Sequence, residues 1–145
     1  MVMSCGGETL LSISKYPSEF VLMCSLRVDE QLSSYASIKQ AAGDGAEIAS
    51  FESLFLENMV LSLDSLFGHR ARGQEGKDGN PLNEVRMICG TLMRGENCLR
   101  ADSTIRYDPA KAVLGTRIGD PIPWTTEGIG RLCHAFLEEI GKKYP

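Results

Sequence analysis

The amino-acid sequence predicts a mainly α fold, a compact helical bundle with a small β-hairpin between the third and last long helices. Three observations carry that expectation. Apolar residues recur at intervals of three and four over most of the chain. Two helix starts, at Asn80-Pro81 and at Thr125, have capping chemistry. Only residues 102–124 carry short β-type pieces, cut by Asp108-Pro109 and Gly119-Asp120. At 145 residues the chain fits a single domain, able to bury roughly two-thirds of the surface its unfolded form exposes.

Residues 1–45 form an atypical N-terminal part. Within it Val28, Leu32, Tyr35 and Ile38 recur at helical spacing, with Asp29 available as a cap. Residues 20–28 suit either an extension of that helix toward Pro17 or a buried strand. "AAGDGAEIAS", residues 41–50, reads as a loop because its glycines and Asp44 interrupt the pattern. Residues 50–94 then read as helix, connector and helix, an antiparallel hairpin. From Ser50 as cap, Phe51, Phe55, Met59, Leu63 and Leu66 mark one stripe, which Leu54, Leu56, Val60, Leu61 and Phe67 widen past half the circumference. This is expected to be the central helix, and its apolar excess predicts a homo-oligomer.

The second helix of the hairpin starts where Asn80 accepts a backbone hydrogen bond and Pro81 takes the first helical position. Leu82, Val85, Cys89 and Leu92 share its inner face, and Gly95 stops it. "STIRY", "VLGTRI" and "PIPW" between residues 102 and 124 predict the hairpin, with Pro121 and Pro123 at its edge or outside it. A C-terminal helix over 125–144 is marked by Ile129, Leu132, Cys133, Phe136, Leu137, Ile140 and Tyr144, with Lys142 and Lys143 favouring its dipole. Gly128 and Gly130 weaken its first turns by up to roughly 1 kcal/mol each.

Composition excludes several function classes. A net charge of −4 argues against general nucleic-acid binding, which needs a basic footprint. No apolar run approaches the roughly 20 residues of a membrane span. Five scattered cysteines without a C-x-x-C pair signal neither a disulfide framework nor a zinc knuckle. The first residues lack a basic region followed by an apolar core, which together with the cysteines predicts a cytoplasmic protein.

The segment that invites a functional reading is "GHRARGQEGKDGNPLNEVR", residues 68–86, a dense polar connector between two hydrophobic segments. Arg70, Arg72 and Arg86 can make bidentate contacts to an anion, Lys77 adds a cation, and Asn80 and Asn83 add neutral hydrogen bonds. Glu84, with Glu75 and Asp78, can fix them. These residues predict a binding or interaction module holding a polar or anionic ligand, or a protein partner, at the connector. The alternative is a hydrolase with His69 as general base and Glu75 or Asp78 behind it. The bland explanation weighs against both: turns need Gly76 and Gly79, helix initiation needs Asn80 and Pro81, and surface arginines pair with nearby carboxylates. No phosphate loop fits, since Ala71 stands where a glycine is required and Asp78 follows Lys77. No calcium loop fits after Asp78, and neither a metal nor a cofactor is expected. His134 reads as a rim residue, and Trp124 as a packing anchor.

The stretch "HRARGQEGKDGNPLNEVRMIC" resembles the signature HRxRxxEGKDGNPLNEVR of a family of small, uncharacterised bacterial proteins. The resemblance continues through "IRYDPAKAVLG", "IGDPI" and "RLCHAFLEEI" and covers residues 51–144. It implies a mostly helical cytoplasmic protein and strengthens the interest of the connector without naming a reaction. Gly128, Gly130 and His134 depart from the choices usual in that last helix.

Overall fold

The computed structural model describes residues 12–145. Cys5 and the reading of the first residues as lacking a leader lie outside that range. Among the described residues the elements are α1 (Ser18–Ala42), α2 (Ala46–Leu66), a single turn α3 (Arg72–Glu75), α4 (Pro81–Met93) and α5 (Thr126–Lys143).

The long helices alternate in direction. Tyr35 and Lys39 of α1 meet Glu52 of α2, whereas Phe20 meets Phe67, so the two run antiparallel. Cys89 Sγ lies over the Val60 carbonyl, while Asp64 connects through Arg70 and Glu75 to Arg86; α2 and α4 are therefore also antiparallel. Tyr16 N–H donates to the Tyr144 carbonyl at 3.0 Å, and Asp29 meets His134 at 2.7 Å, which orients α5 against α1. The result is an up-down-up-down four-helix bundle. Its core gathers Leu56, Val60 and Phe67 of the α2 segment, Leu82 and Ile88 of α4, and Ile129, Phe136 and Ile140 of α5.

α5, not α2, is the hub. It packs on α1, α2 and α4, and α1 leans chiefly on α5 and only lightly on α2. The physical reason is stripe shape. The apolar residues of α5 form one sharp face that is buried throughout, whereas those of α2 surround the helix and no neighbour covers all sides. Gly130 serves this packing: a Cβ there would sit 3.2 Å from the Leu32 side chain. The helix-propensity cost read from the sequence is thus offset by close approach of α1.

The N-terminal ambiguity resolves as helix, since α1 runs back to Ser18 with Pro17 as its N-terminal flank. Asp29 and Ser50 fall inside helices rather than at caps. The expected loop at 41–50 shrinks to three residues, with Gly43 at φ 85° making the turn. Asn80 and Thr125 do cap α4 and α5, accepting from Leu82 N–H and Gly128 N–H.

The expected β-hairpin at 102–124 is overturned, because no strand forms among the described residues. Only an isolated antiparallel bridge joins Cys98 to Pro121, with Leu99 and Ile122 donating across it. Pro121 and Pro123 lack N–H donors. The remaining backbone groups find partners in helices and turns: Val113 and Leu114 donate to Glu84, and Arg106 donates to the Lys77 carbonyl.

Candidate functional site

The connector folds over one end of the bundle and gathers four charged groups there. Phe67 closes α2, and the backbone at 69–71 is stitched to Ile13 by two hydrogen bonds of 2.8 Å. The turn α3 then drops Glu75 into the interior, where it is 0% exposed. Each Glu75 oxygen accepts two hydrogen bonds. Oε1 takes Arg70 Nε at 3.0 Å and Arg86 Nη2 at 2.6 Å; Oε2 takes Arg86 Nε at 3.0 Å and Asn83 Nδ2 at 2.9 Å. Arg70, itself buried, also reaches Asp64 at 3.0 Å and the Phe67 carbonyl, and its guanidinium lies 5.3 Å from the Phe136 ring centre. The cluster contains two cations and two anions, so formal charge balances inside it.

Asn83 locks this cluster to the turn that follows it. Its Oδ1 accepts Gly79 N–H at 2.9 Å, and its Nδ2 donates to Glu75 and the Gly76 carbonyl. Gly79 has φ 87°, and a Cβ there would stand 2.7 Å from the Arg106 carbonyl oxygen, so glycine is required. Burial pushes the Glu75 carboxyl up, but the hydrogen bonds and charges of Arg86, Arg70 and Asn83 outweigh it and hold it below the usual range. Glu84 behaves in the opposite way: burial raises it, and the Val113 and Leu114 N–H groups, which it accepts at 2.8 and 2.9 Å, compensate only in part.

Of the other sequence-predicted site residues, Asn80 donates to the Glu75 backbone carbonyl at 2.8 Å, and His69, Arg72, Lys77 and Asp78 lie at the exposed rim. His69 is exposed, and its side chain makes no hydrogen bond among the described residues. Asp78 is exposed, held below its usual range first by Asn80, whose amide it accepts at 2.8 Å. Lys77 is exposed, and Arg72 sits at the rim, 3.8 Å from Glu75. Among the described residues no His69–carboxylate pair is formed, and Glu75 has no acceptor direction left to orient a base. Sequence reasoning missed Asp64, placed on the polar side of α2, and Gln74, whose amide bridges the carbonyls of Ser14 and Lys143 at 2.8 Å each. Asp64 was recoverable: the only acid near the C-terminal end of α2 lies six residues before Arg70.

The bundle surface offers hollows along α1 and α2, beside Cys98, at the α1–α5 seam and near Tyr144, and none takes a lining residue from 68–86. No group of three or more His, Cys, Asp or Glu able to hold a metal ion occurs among the described residues. Buried thiols are unreactive by environment; burial pushes Cys133 up to about 12 and Cys89 higher still.

Exposed large apolar residues lie mostly on α1 and α2, with Met93 at the end of α4 and Ile118 standing apart. Leu54 is 62% exposed, Leu22 58%, Met23 55%, and Leu26, Ile38, Phe51 and Leu66 lie about half in solvent. From Ala49 onward every exposed position of α2 is uncharged: its acids Glu52, Glu57 and Asp64 are turned partly inward. A hollow of about 720 Å³ runs between α1 and α2 near Met23, Ser62 and Leu66, and a second of about 280 Å³ near Ile38 and Phe51. Compared with protein-family models, with curated proteins and with solved structures, the chain matches none.

Proposed function

We propose that the protein is an interaction module that docks a protein partner on the α1/α2 face, and that the connector is the rigid clasp holding the bundle end. The observation carrying this reading is the run of exposed apolar side chains on two adjacent helices with no charge on the exposed part of α2 beyond Ala49. Interface cores are depleted of charge and rich in Met and aromatic residues, while lone exposed hydrophobes scatter. The buried ionic groups of the connector, in contrast, are paired with one another and with Asp64 and Arg86. A ligand anion would have to displace Glu75 from Arg70 and Arg86, which leaves a buried carboxylate unpaired. The remaining polar connector residues His69, Arg72, Lys77 and Asp78 stand at the exposed rim. Among the described residues no helix is long and apolar enough to cross a membrane, so the face is not read as part of a span. A cytoplasmic setting belongs to the same proposal and is supported by the four cysteines among the described residues, all free and three of them buried.

The test uses the full chain as bait in an extract of its source organism. Wild type and Arg72→Ala/Lys77→Ala should retain the same proteins, the chain itself included. Met23→Glu/Leu54→Glu should lose them. Equal capture by all three would overturn the reading.

A further inference from the structure

The pattern along α2 selects an occupant for that face. Phe51, Leu54, Asn58, Leu61 and Ser65 follow one another at intervals of three and four, the seam spacing of paired helices. Around this seam the exposed side chains are Ser50, Phe51 and Leu54 toward the N-terminal end and Ser62, Ser65 and Leu66 toward the C-terminal end, with Asn58 the midpoint between Phe51 and Ser65.

Such a surface fits a copy of itself in one sense, the antiparallel one, in which each exposed large side chain meets a serine. With Asn58 on a two-fold axis, Phe51 of each copy faces Ser65 of the other, Leu54 faces Ser62, and Leu66 faces Ser50. Each pairing occurs twice. The parallel alternative stacks Phe51 on Phe51 and Ser65 on Ser65. The hollow bordered by Met23, Ser62, Ser65 and Leu66 lies where the second copy's Phe51 and Leu54 arrive. Asn58 is exposed in one chain, and its amide offers both donor and acceptor, so two such amides on the axis satisfy each other and fix the register.

Size and charge agree with a second copy. The exposed apolar residues of α2, with Phe20, Met23 and Ile38 on the side of α1 that borders it, present an area on the order of the 800 Å² that each partner brings to a standard-sized interface. The net charge of −4 sets two copies repelling at long range, and an uncharged contact face on α2 keeps that repulsion out of the interface. We infer that the protein forms an antiparallel, two-fold homodimer through α2, with Asn58 on the axis. This rests on the reading of the α1/α2 face as a docking surface and names its occupant.

The experiment is light scattering and sedimentation of the full chain over a concentration series. The expected particle has twice the chain mass, and Leu54→Glu, which buries an unpaired carboxylate twice, should weaken it by about a hundredfold or more. Melting of Leu54→Glu checks that the variant is folded. In a Cys5→Ser/Cys98→Ser background, Asn58→Cys should cross-link to itself under mild oxidation. Phe51→Cys and Ser65→Cys should each stay single, and should cross-link when mixed. A monomer at all concentrations, a dimer indifferent to Leu54→Glu, or a dimer in which Asn58→Cys fails to cross-link would each overturn the proposal. A monomer whose extract capture still depends on Met23 and Leu54 leaves the docking face in place with a different occupant. A monomer without that dependence removes both readings.

Discussion

Glu75 is the residue on which the connector turns. It is a fully buried carboxylate whose four acceptor directions are filled by Arg70, Arg86 and Asn83. Such a group is costly to remove because its removal strands its partners: Arg70 is as buried as Glu75 itself. Glu75→Gln keeps the shape, abolishes the charge and turns an amide N–H₂ toward groups that already donate. The expected loss is about 3 kcal/mol or more, a drop in melting temperature on the order of 10 °C, read by calorimetry. Its pH dependence has a definite sign. The folded carboxyl is held below its ordinary value of 4.5, so the unfolded chain takes up the proton first. The stabilisation is full above that value and is lost as the pH falls through the depressed one. In the wild type this adds to acid destabilisation, and Glu75→Gln should lack that component. A Glu75→Gln protein that melts with the wild type at neutral pH would mean that the arginines find other partners.

At the scale of elements, what the sequence revealed depended on whether the signal was local. Caps are local: Asn80 with Pro81, and Thr125, mark the starts of α4 and α5 where they occur. The periodic stripe of α5 is local too. The β-hairpin was misjudged because β-branched pieces between turns look alike whether they pair with one another or with something distant. The N–H groups of Val113 and Leu114 go to Glu84, about thirty residues earlier, and no propensity encodes that partner. The central position of α2 was misjudged because apolar content is countable whereas the number of neighbours is not. The gathering of Arg70, Glu75, Asn83 and Arg86 was legible from the hairpin, but their mutual saturation was not, since it required the single turn of α3 to bury Glu75. Glu84 supplies the test at this scale. Glu84→Ala should release the segment around Val113 and Leu114 while leaving α4 folded. Hydrogen exchange should therefore quicken at those two amides and stay slow at Leu82 and Ile88. Unchanged exchange at Val113 would show that the segment is held by other contacts, such as the hydrogen bond of Tyr107 to the Thr116 carbonyl.

At the scale of the whole molecule, charge and apolar surface are segregated. Ionic groups are paired at the connector or spread over α5, the polar loops and the outer side of α1, and the outward face of α2 is left uncharged from Ala49 on. Association through such a face draws on apolar burial, which salt does not screen, whereas a complex steered by ion pairs weakens steeply as salt rises. Two copies at −4 each also repel over a distance that salt shortens. Both effects have the same sign. Raising sodium chloride from about 50 to 500 mM, which cuts the Debye length severalfold, should leave the dimer dissociation constant unchanged or tighten it by up to about threefold. Binding should also show a negative heat-capacity change, the mark of apolar burial. Sedimentation equilibrium at the two salt concentrations decides the matter. A tenfold weakening in high salt would place ion pairs in the contact and would move it off α2, toward the charged residues of α1 or the connector rim.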